Sequence, residues 1–479
     1  MPRTLIRAST IIAHDGAGHR ILRDGEVVFE GDTIVFVGRK FAGHADVTID
    51  ANGRILAPGF IDTHSHMAGS PLDKSFVEDQ GKRNFYNSGL FEMLPARSAA
   101  QDLDAAHACV EFSMMELLHG GTTTALELGP VPEYTAAQAA RFGLRTYVGP
   151  MYRSARWYTD DGRTVKYQWD EAAGTAAFAR AIDWIERNDG THGGLVKGLL
   201  SPSQVDTCTE ALLRGTRAAG TRLGVPVTLH AAQSVNEFHE MVQRHGRSPI
   251  EWLRDIDFLA PDVILGHAII IAGGSWAQYA GDDIGVMAAS GCSVAHAPWV
   301  FARRGIAMES FPRYLKAGIN MTLGTDTAPQ SMIEAMRYAA VVGKIIERQT
   351  EVATAADVFD AATLGGARAL GREDLGRIAA GAKADLVIWA AQSVSMSPVR
   401  DPIRNIVFSA QTADVNTVIV NGRSVLVDGV IPDAPDMKAM AGRLQQAGER
   451  MWANMGSGDW AGRGVEALSP QSYPVWDAD

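Results

Sequence analysis

The chain has 479 residues, with 44 Lys and Arg against 55 Asp and Glu and a formal charge of −11 at pH 7; its pI is near 5.6 and its mean hydropathy −0.04. That acidic balance, with no basic cluster interleaved with aromatics, excludes a nucleic-acid binder that works by neutralising phosphates. A hydrophobic share of 46% and a charged share of 21% fit a soluble globular protein of one large α/β domain plus a small companion.

The start, MPRTLIRASTIIAHDG, lacks an apolar core followed by a small-residue cleavage site, and no run of about 18 apolar residues follows it. The expectation is a cytoplasmic protein without a membrane partner, forming a homo-oligomer. Residues 1–55 hold short β-rich runs such as EVVFEGDTIVFVG and ADVTID between Gly and Asp turns, which predict a small β unit. From 56 to 371 the pattern changes, as apolar β-type runs alternate with helical stretches of about 12 residues, implying parallel strands joined by crossover helices. The runs are ILAPGFIDTHSH, TTTALELG, LRTYVGP, LVKGLLS, VPVTLHAA, DVILGHA, CSVAHAP and INMTLGTDTA. Eight such units predict a (β/α)₈ barrel. Over 372–432 β character returns in ADLVIWA and NTVIVNGRSVLVDG, so the two flanks are expected to build one β-sandwich together, and 433–479 reads as a helical extension. Cys109, Cys208 and Cys292 are odd in number and widely spaced, which argues for buried small side chains and against disulfides or thiolate zinc.

In such a barrel the active site lies where the strands end, so polar residues there carry the most information. The first strand ends in His64 and His66, the fifth in His230, the sixth in His267, the seventh in His296 and the eighth in Asp326. A spacing of two turns His64 and His66 the same way. With His230 and Asp326 they offer three imidazoles and a carboxylate, a set suited to one divalent ion: zinc first, with iron, manganese or cobalt as alternatives. Such an ion generates hydroxide near neutral pH; Asp326 can take and return its proton, and His267 can hydrogen-bond the water or an oxyanion. His14, His19, His44, His107, His119, His239 and His245 lie in the flank or in helical stretches and read as surface or packing residues.

PGFIDTHSH, GGTTTALE, VTLHAAQ, ILGHA, AHAPW and LGTDTA, followed by ATLGGARALGRED and GRIAAGAKADLVI, resemble the amidohydrolase superfamily in its triazine-hydrolase and cytosine-deaminase-like branch. The resemblance implies a metal-centred barrel carrying a composite β-sandwich, with His64, His66, His230 and Asp326 as ligands and His267 beside the water. Deaminases of that branch follow the fifth-strand histidine with H-x-x-E, whose glutamate protonates a ring nitrogen; here the position is Gln233. An amide shuttles no proton, a loss of about 10²–10⁴-fold, although it can still bind substrate. Ser203 stands where related deaminases often carry a substrate-binding histidine. Both departures favour hydrolysis of an amide, carbamate or urea of a small, partly apolar or aryl molecule, similar to phenylurea and thiocarbamate hydrolases, over deamination of a nucleobase- or triazine-like heterocycle. A non-catalytic scaffold ranks third, because it has no use for four ligands.

Lys197 in GLVKGLLS has two readings, an outward-facing lysine or a carboxylated bridge between two metals with His267 as a further ligand. The insertions after His66 and after the third strand are rich in Phe, Tyr and Trp. Trp157 in the second, with Trp299 and His296, is a candidate for the pocket wall alongside Gln233.

Overall fold

The computed structural model describes residues 2–77, 89–432 and 434–476. At the N-terminal end lie β1 (Arg3–His14), β2 (His19–Glu30), β3 (Thr33–Gly38) and β4 (Val47–Pro58). The chain then runs through β5 (Phe60–Ser65), β6 (Thr122–Gly129) and β7 (Arg145–Tyr152), a hairpin of β8 (Ala155–Tyr158) and β9 (Lys166–Trp169), and a broken strand, β10 (Val196–Gly198) with β11 (Ser201–Pro202). It continues through β12 (Val227–Ala231), β13 (Val263–His267), β14 (Ser293–His296) and β15 (Asn320–Leu323), and finishes with β16 (Leu386–Trp389), β17 (Val415–Val420) and β18 (Arg423–Leu426).

Among the described residues the two flanks share one seven-stranded sheet, ordered β18-β17-β16-β4-β1-β2-β3. A bridge from Thr33 to Lys383, with Ile34 N–H donating to the Ala382 carbonyl at 2.8 Å, curls the β3 edge back over the sheet. Ile6, Ile11, Val27, Phe29, Leu56 and Ile388 fill the inside of the curl. The composite β unit built from both chain ends is therefore present.

The barrel consists of β5-β6-β7-β10 and β12-β13-β14-β15, all parallel. Bridges from Leu200 to Val227 and from Ser65 to Asp326 close it into a ring. With β10 and β11 counted as one strand, this gives eight strands, as the sequence predicts. Parallel strands are covered on both faces, which explains the unbroken apolar runs: all of β5, β6, β12, β13 and β14 is buried.

Helices begin and end where local chemistry sets them. In Glu210–Leu223 the Thr209 side chain accepts from Leu212 N–H, and Gly224 ends the helix with φ +66°, a conformation costly for residues with a Cβ. In the third-strand insertion, Asp161 accepts from Arg163 N–H and Thr164 N–H, each at 2.8 Å, an Asx turn that folds the insertion into the β8–β9 hairpin.

Lys197 points outward and pairs with Asp189 at 2.8 Å. That corrects the bridging reading, because its ammonium faces a neighbouring helix end, away from the barrel mouth. Among the described residues no helix is long and apolar enough to cross a membrane, and all three cysteines are free and buried.

Candidate metal centre

Strand closure brings the predicted residues together. Asp326 N–H donates to the His64 carbonyl at 2.8 Å, and His66 N–H donates to the Asp326 carbonyl at 3.0 Å. Asp62, one side-chain repeat before His64, accepts from His64 N–H (3.1 Å), Thr325 N–H (3.1 Å) and Thr325 Oγ1 (2.6 Å). Burial pushes the Asp62 carboxyl up to about 7. It stitches the first strand end to the eighth, which aligns His64, His66 and Asp326.

Two glycines of the sequence motifs make room. A Cβ on Gly266 would stand 2.8 Å from His64 Cε1, and one on Gly324 would stand 2.6 Å from His64 Cβ. Only Gly admits the imidazole at these points. Ala232, His267 and Asp326 have φ of +54°, +82° and +61°, a strained region for residues with a Cβ and one that concentrates at functional sites.

The ring nitrogens show what the cluster is for. His66 Nδ1 lies 2.8 Å from the Leu128 carbonyl and His230 Nδ1 lies 2.6 Å from the Ser203 carbonyl. A carbonyl only accepts, so each Nδ1 carries the proton and each Nε2 presents a lone pair. Those two Nε2 atoms face each other at 3.2 Å. Two lone pairs repel at that distance unless a cation sits between them, and nitrogens bound tetrahedrally at about 2.0–2.1 Å stand roughly 3.3 Å apart. Among the described residues neither ring nitrogen of His64 or His267 has a hydrogen-bond partner, although all four atoms are buried.

One ligand atom each from His64, His230 and His267, and from His64, His66 and Asp326, falls within 4.8 Å of the others. Asp326 Oδ1 is 3.6 Å from His66 Nε2 and Oδ2 is 3.7 Å from His267 Nε2. Burial holds the His230 imidazole down to about 3 and, with the neighbouring rings, holds His64 and His267 well below the usual histidine range. All three are neutral at pH 7, the form that binds metal. The donor set fits a divalent ion. His267, read from sequence as standing beside the water, also brings a ring nitrogen within 4.8 Å of His64 and His230.

Gln233 follows His230 by three residues at the start of the helix Val235–His245. Ser234-Val-Asn-Glu237 is a capping-box pattern, and Ser234 Oγ accepts from Glu237 N–H at 3.1 Å. The Glu237 carboxylate overshoots the cap, accepting from Ala232 N–H at 2.5 Å and Gln233 N–H at 3.0 Å. The backbone of Gln233 is thus held in place; the residue is 7% exposed, with a buried Oε1 that has no partner among the described residues. Ser203 Oγ bonds to Gln204 Oε1 at 2.6 Å.

His296 ends β14 in a buried position, 5.9 Å from the Phe311 ring, and burial lowers its imidazole to about 3. Trp299 lies one turn on, against Tyr338 at 4.6 Å. Trp157, on β8, lies on the side of the third and fourth strands and donates to Asp206. The insertion after His66 lies partly outside the described residues, over 78–88. The sequence reading missed Asp62, Asp206 and Glu237; only Glu237 carried a visible signal, the S-x-x-E pattern.

Comparison with known proteins bears on the family and the fold. The model of the amidohydrolase family matches residues 55–425. A 5'-deoxyadenosine deaminase of Methanothermobacter thermautotrophicus is 29% identical over 85% of this chain and 90% of its own length. A 5-methylthioadenosine/S-adenosylhomocysteine deaminase of Thermococcus kodakarensis is 30% identical over 84% of this chain and 89% of its own. In fold, the chain is similar to an adenosine deaminase from Xanthomonas campestris solved with bound zinc (TM-score 0.79, 22% identity, covering 94% of this chain and 98% of that one). It is also similar to triazine hydrolase from Arthobacter aurescens (TM-score 0.78, 20% identity, 94% and 100%).

Proposed function

The chain belongs to the amidohydrolase family and is a hydrolase of carbon–nitrogen bonds; from that premise we propose that it deaminates a small amino-substituted nitrogen heterocycle, with one divalent ion, zinc first, held by His64, His66, His230, His267 and Asp326. The relatives favour this reading, which the sequence ranked second. A bound ion there supplies Lewis acidity that brings the pKa of water from 15.7 toward roughly 7. Asp326, whose carboxyl is raised by burial, is the group that accepts a proton and returns it to the departing nitrogen.

The observation that carries the reading is the amide of Gln233, three residues after the fifth-strand His230, buried at Oε1 with no partner among the described residues. An amide offers one acceptor and one donor side by side. That pair matches an aminoheterocycle edge, where an exocyclic NH₂ donates and a ring nitrogen accepts, as in Gln–adenine pairing. Gln233 therefore orients the ring without protonating it.

The second reading, hydrolysis of an amide, carbamate or urea, is favoured by that same absence of a ring acid. A product panel separates the two. 5'-Deoxyadenosine, methylthioadenosine and aminotriazines are expected to release ammonia, whereas aryl amides and N-aryl ureas remain intact. Amine release from the ureas with no ammonia from any heterocycle would overturn the proposal.

A further inference from the structure

Two insertions from different strands meet at the barrel mouth. Phe91, in the insertion after the first strand, packs edge-on against Trp157 of β8 with ring centroids 4.9 Å apart and planes at 74°. The hairpin rises from the rim next to the metal centre: Ser203 N–H donates to the Tyr152 carbonyl, His230 N–H donates to the Ser203 carbonyl, and Ser154 N–H donates to the Thr207 carbonyl. Trp157 is half-buried, so part of its ring is left for another molecule.

A buried carboxylate holds Trp157, and another stands next to Phe91 in the chain. Asp206, fully buried, accepts from Trp157 Nε1 and Tyr167 OH on the same oxygen, each at 2.7 Å. Arg244 donates to the Asp206 carbonyl at 2.6 Å and lays its guanidinium over Tyr167 (4.4 Å) and Trp169 (4.9 Å). On the other side Glu92, next to Phe91 and 6% exposed, accepts from Trp460 Nε1 at 2.8 Å and Arg463 Nη2 at 2.9 Å. Arg463 is braced by Asp459 at 2.6 Å. Trp460 and Arg463 lie beyond residue 425, outside the part of the chain that the family model covers. Taking two carboxylates out of water costs several kcal/mol each unless they are fully matched, a demand that apolar packing of loops onto the barrel would avoid.

We propose that Trp157, backed by the fully buried ring of Phe91, forms one wall of the substrate pocket, receiving an apolar or aryl arm of the substrate, and that Phe91, Asp206, Glu92, Trp460 and Arg463 are positioning residues that clamp it. The C-terminal segment thereby sets specificity at a site assembled by the barrel. The proposal deepens the functional reading above, since it places the substrate at this mouth.

The test uses the full-length, metal-loaded protein with Arg463→Ala and Asp206→Asn, and Glu92→Gln as the conservative variant. Backbone hydrogen exchange reads the clamp without any substrate. Arg463→Ala is expected to speed exchange in 155–169, across the ring contact, as well as in 89–100, and Glu92→Gln to do so less. Acceleration confined to 89–100 overturns the clamp. Kinetics then read specificity on two substrates differing only in the apolar arm. KM is expected to rise about tenfold for the armed substrate with kcat held, while the short substrate is unchanged, the pattern of lost uniform binding. Equal losses on both substrates overturn the specificity role. If the wild-type protein turns over neither, the reaction assignment has failed, and the exchange result still decides the clamp.

Discussion

Arg145 and Asp385, where the barrel meets the β unit, are as buried as His64 and His267 at the mouth, yet the two sites treat their polar atoms in opposite ways. Arg145 donates to both Asp385 oxygens at 3.2 Å, to the Gly194 carbonyl at 3.0 Å and to Asn421 Oδ1 at 3.1 Å, and Asp385 takes a further bond from Asn421 N–H at 2.7 Å. At the mouth, both ring nitrogens of His64 and of His267 lack a hydrogen-bond partner among the described residues, and His230 Nε2 faces only Nε2 of the half-buried His66. Buried polar groups are nearly always satisfied, so each exception calls for an explanation. The floor spends its polar atoms on holding two units together; the mouth reserves them for a ligand, and the strained backbone of His267 and Asp326 belongs to the same end.

This contrast can be broken at either end. The largest effect is expected at the mouth: His230→Ala should remove the ion and turnover together, by more than the roughly 10–100-fold that losing a ligand's own hydrogen-bond partner costs, with the circular dichroism of the chain retained. Metal analysis and ammonia release check it; full metal content in this variant contradicts the ligand assignment. Next comes Gln233→Glu, which restores a group able to protonate a ring and should raise ammonia release toward the 10²–10⁴-fold that acid catalysis supplies with metal content unchanged. A fall in rate would favour the carbonyl reading. At the floor, Arg145→Met leaves Asp385 buried and unpaired, so it should destabilise the chain by about 3–5 kcal/mol in denaturant titration, while the folded fraction still binds one ion. The smallest effect concerns His19, in the β unit, whose imidazole burial lowers to about 4. Below the ordinary value near 6.5 the unfolded chain takes up this proton first. Its contribution to stability is therefore present at neutral pH and is lost as pH falls from about 6.5 toward 4. His19→Gln should flatten that part of the stability profile, and an unchanged slope would refute the assignment.

The fold was legible because parallel strands buried on both faces write themselves as apolar runs, each punctuated at its end by a polar residue. His64, His66, His230 and Asp326 could be named for that reason. The exact partners could not: whether His267 stands beside the ligand group or within it depends on barrel closure through Ser65 and Asp326, a matter of a few ångströms in register. Asp206 and Glu92 were invisible because their partners lie 49 and 368 residues away, across loops whose meeting no periodicity records. Glu237 was half visible, since S-x-x-E announces a helix start but not a carboxylate that overshoots to hold Gln233. Lys197 misleads only if chain position is considered without the direction of its side chain.

The central claim is tested most directly by counting metal in the purified chain before and after chelation, alongside activity. One divalent ion per chain, lost with turnover on chelation and regained with it on adding zinc, is the predicted result. A chain that hydrolyses its substrate at full rate with no metal present would contradict it.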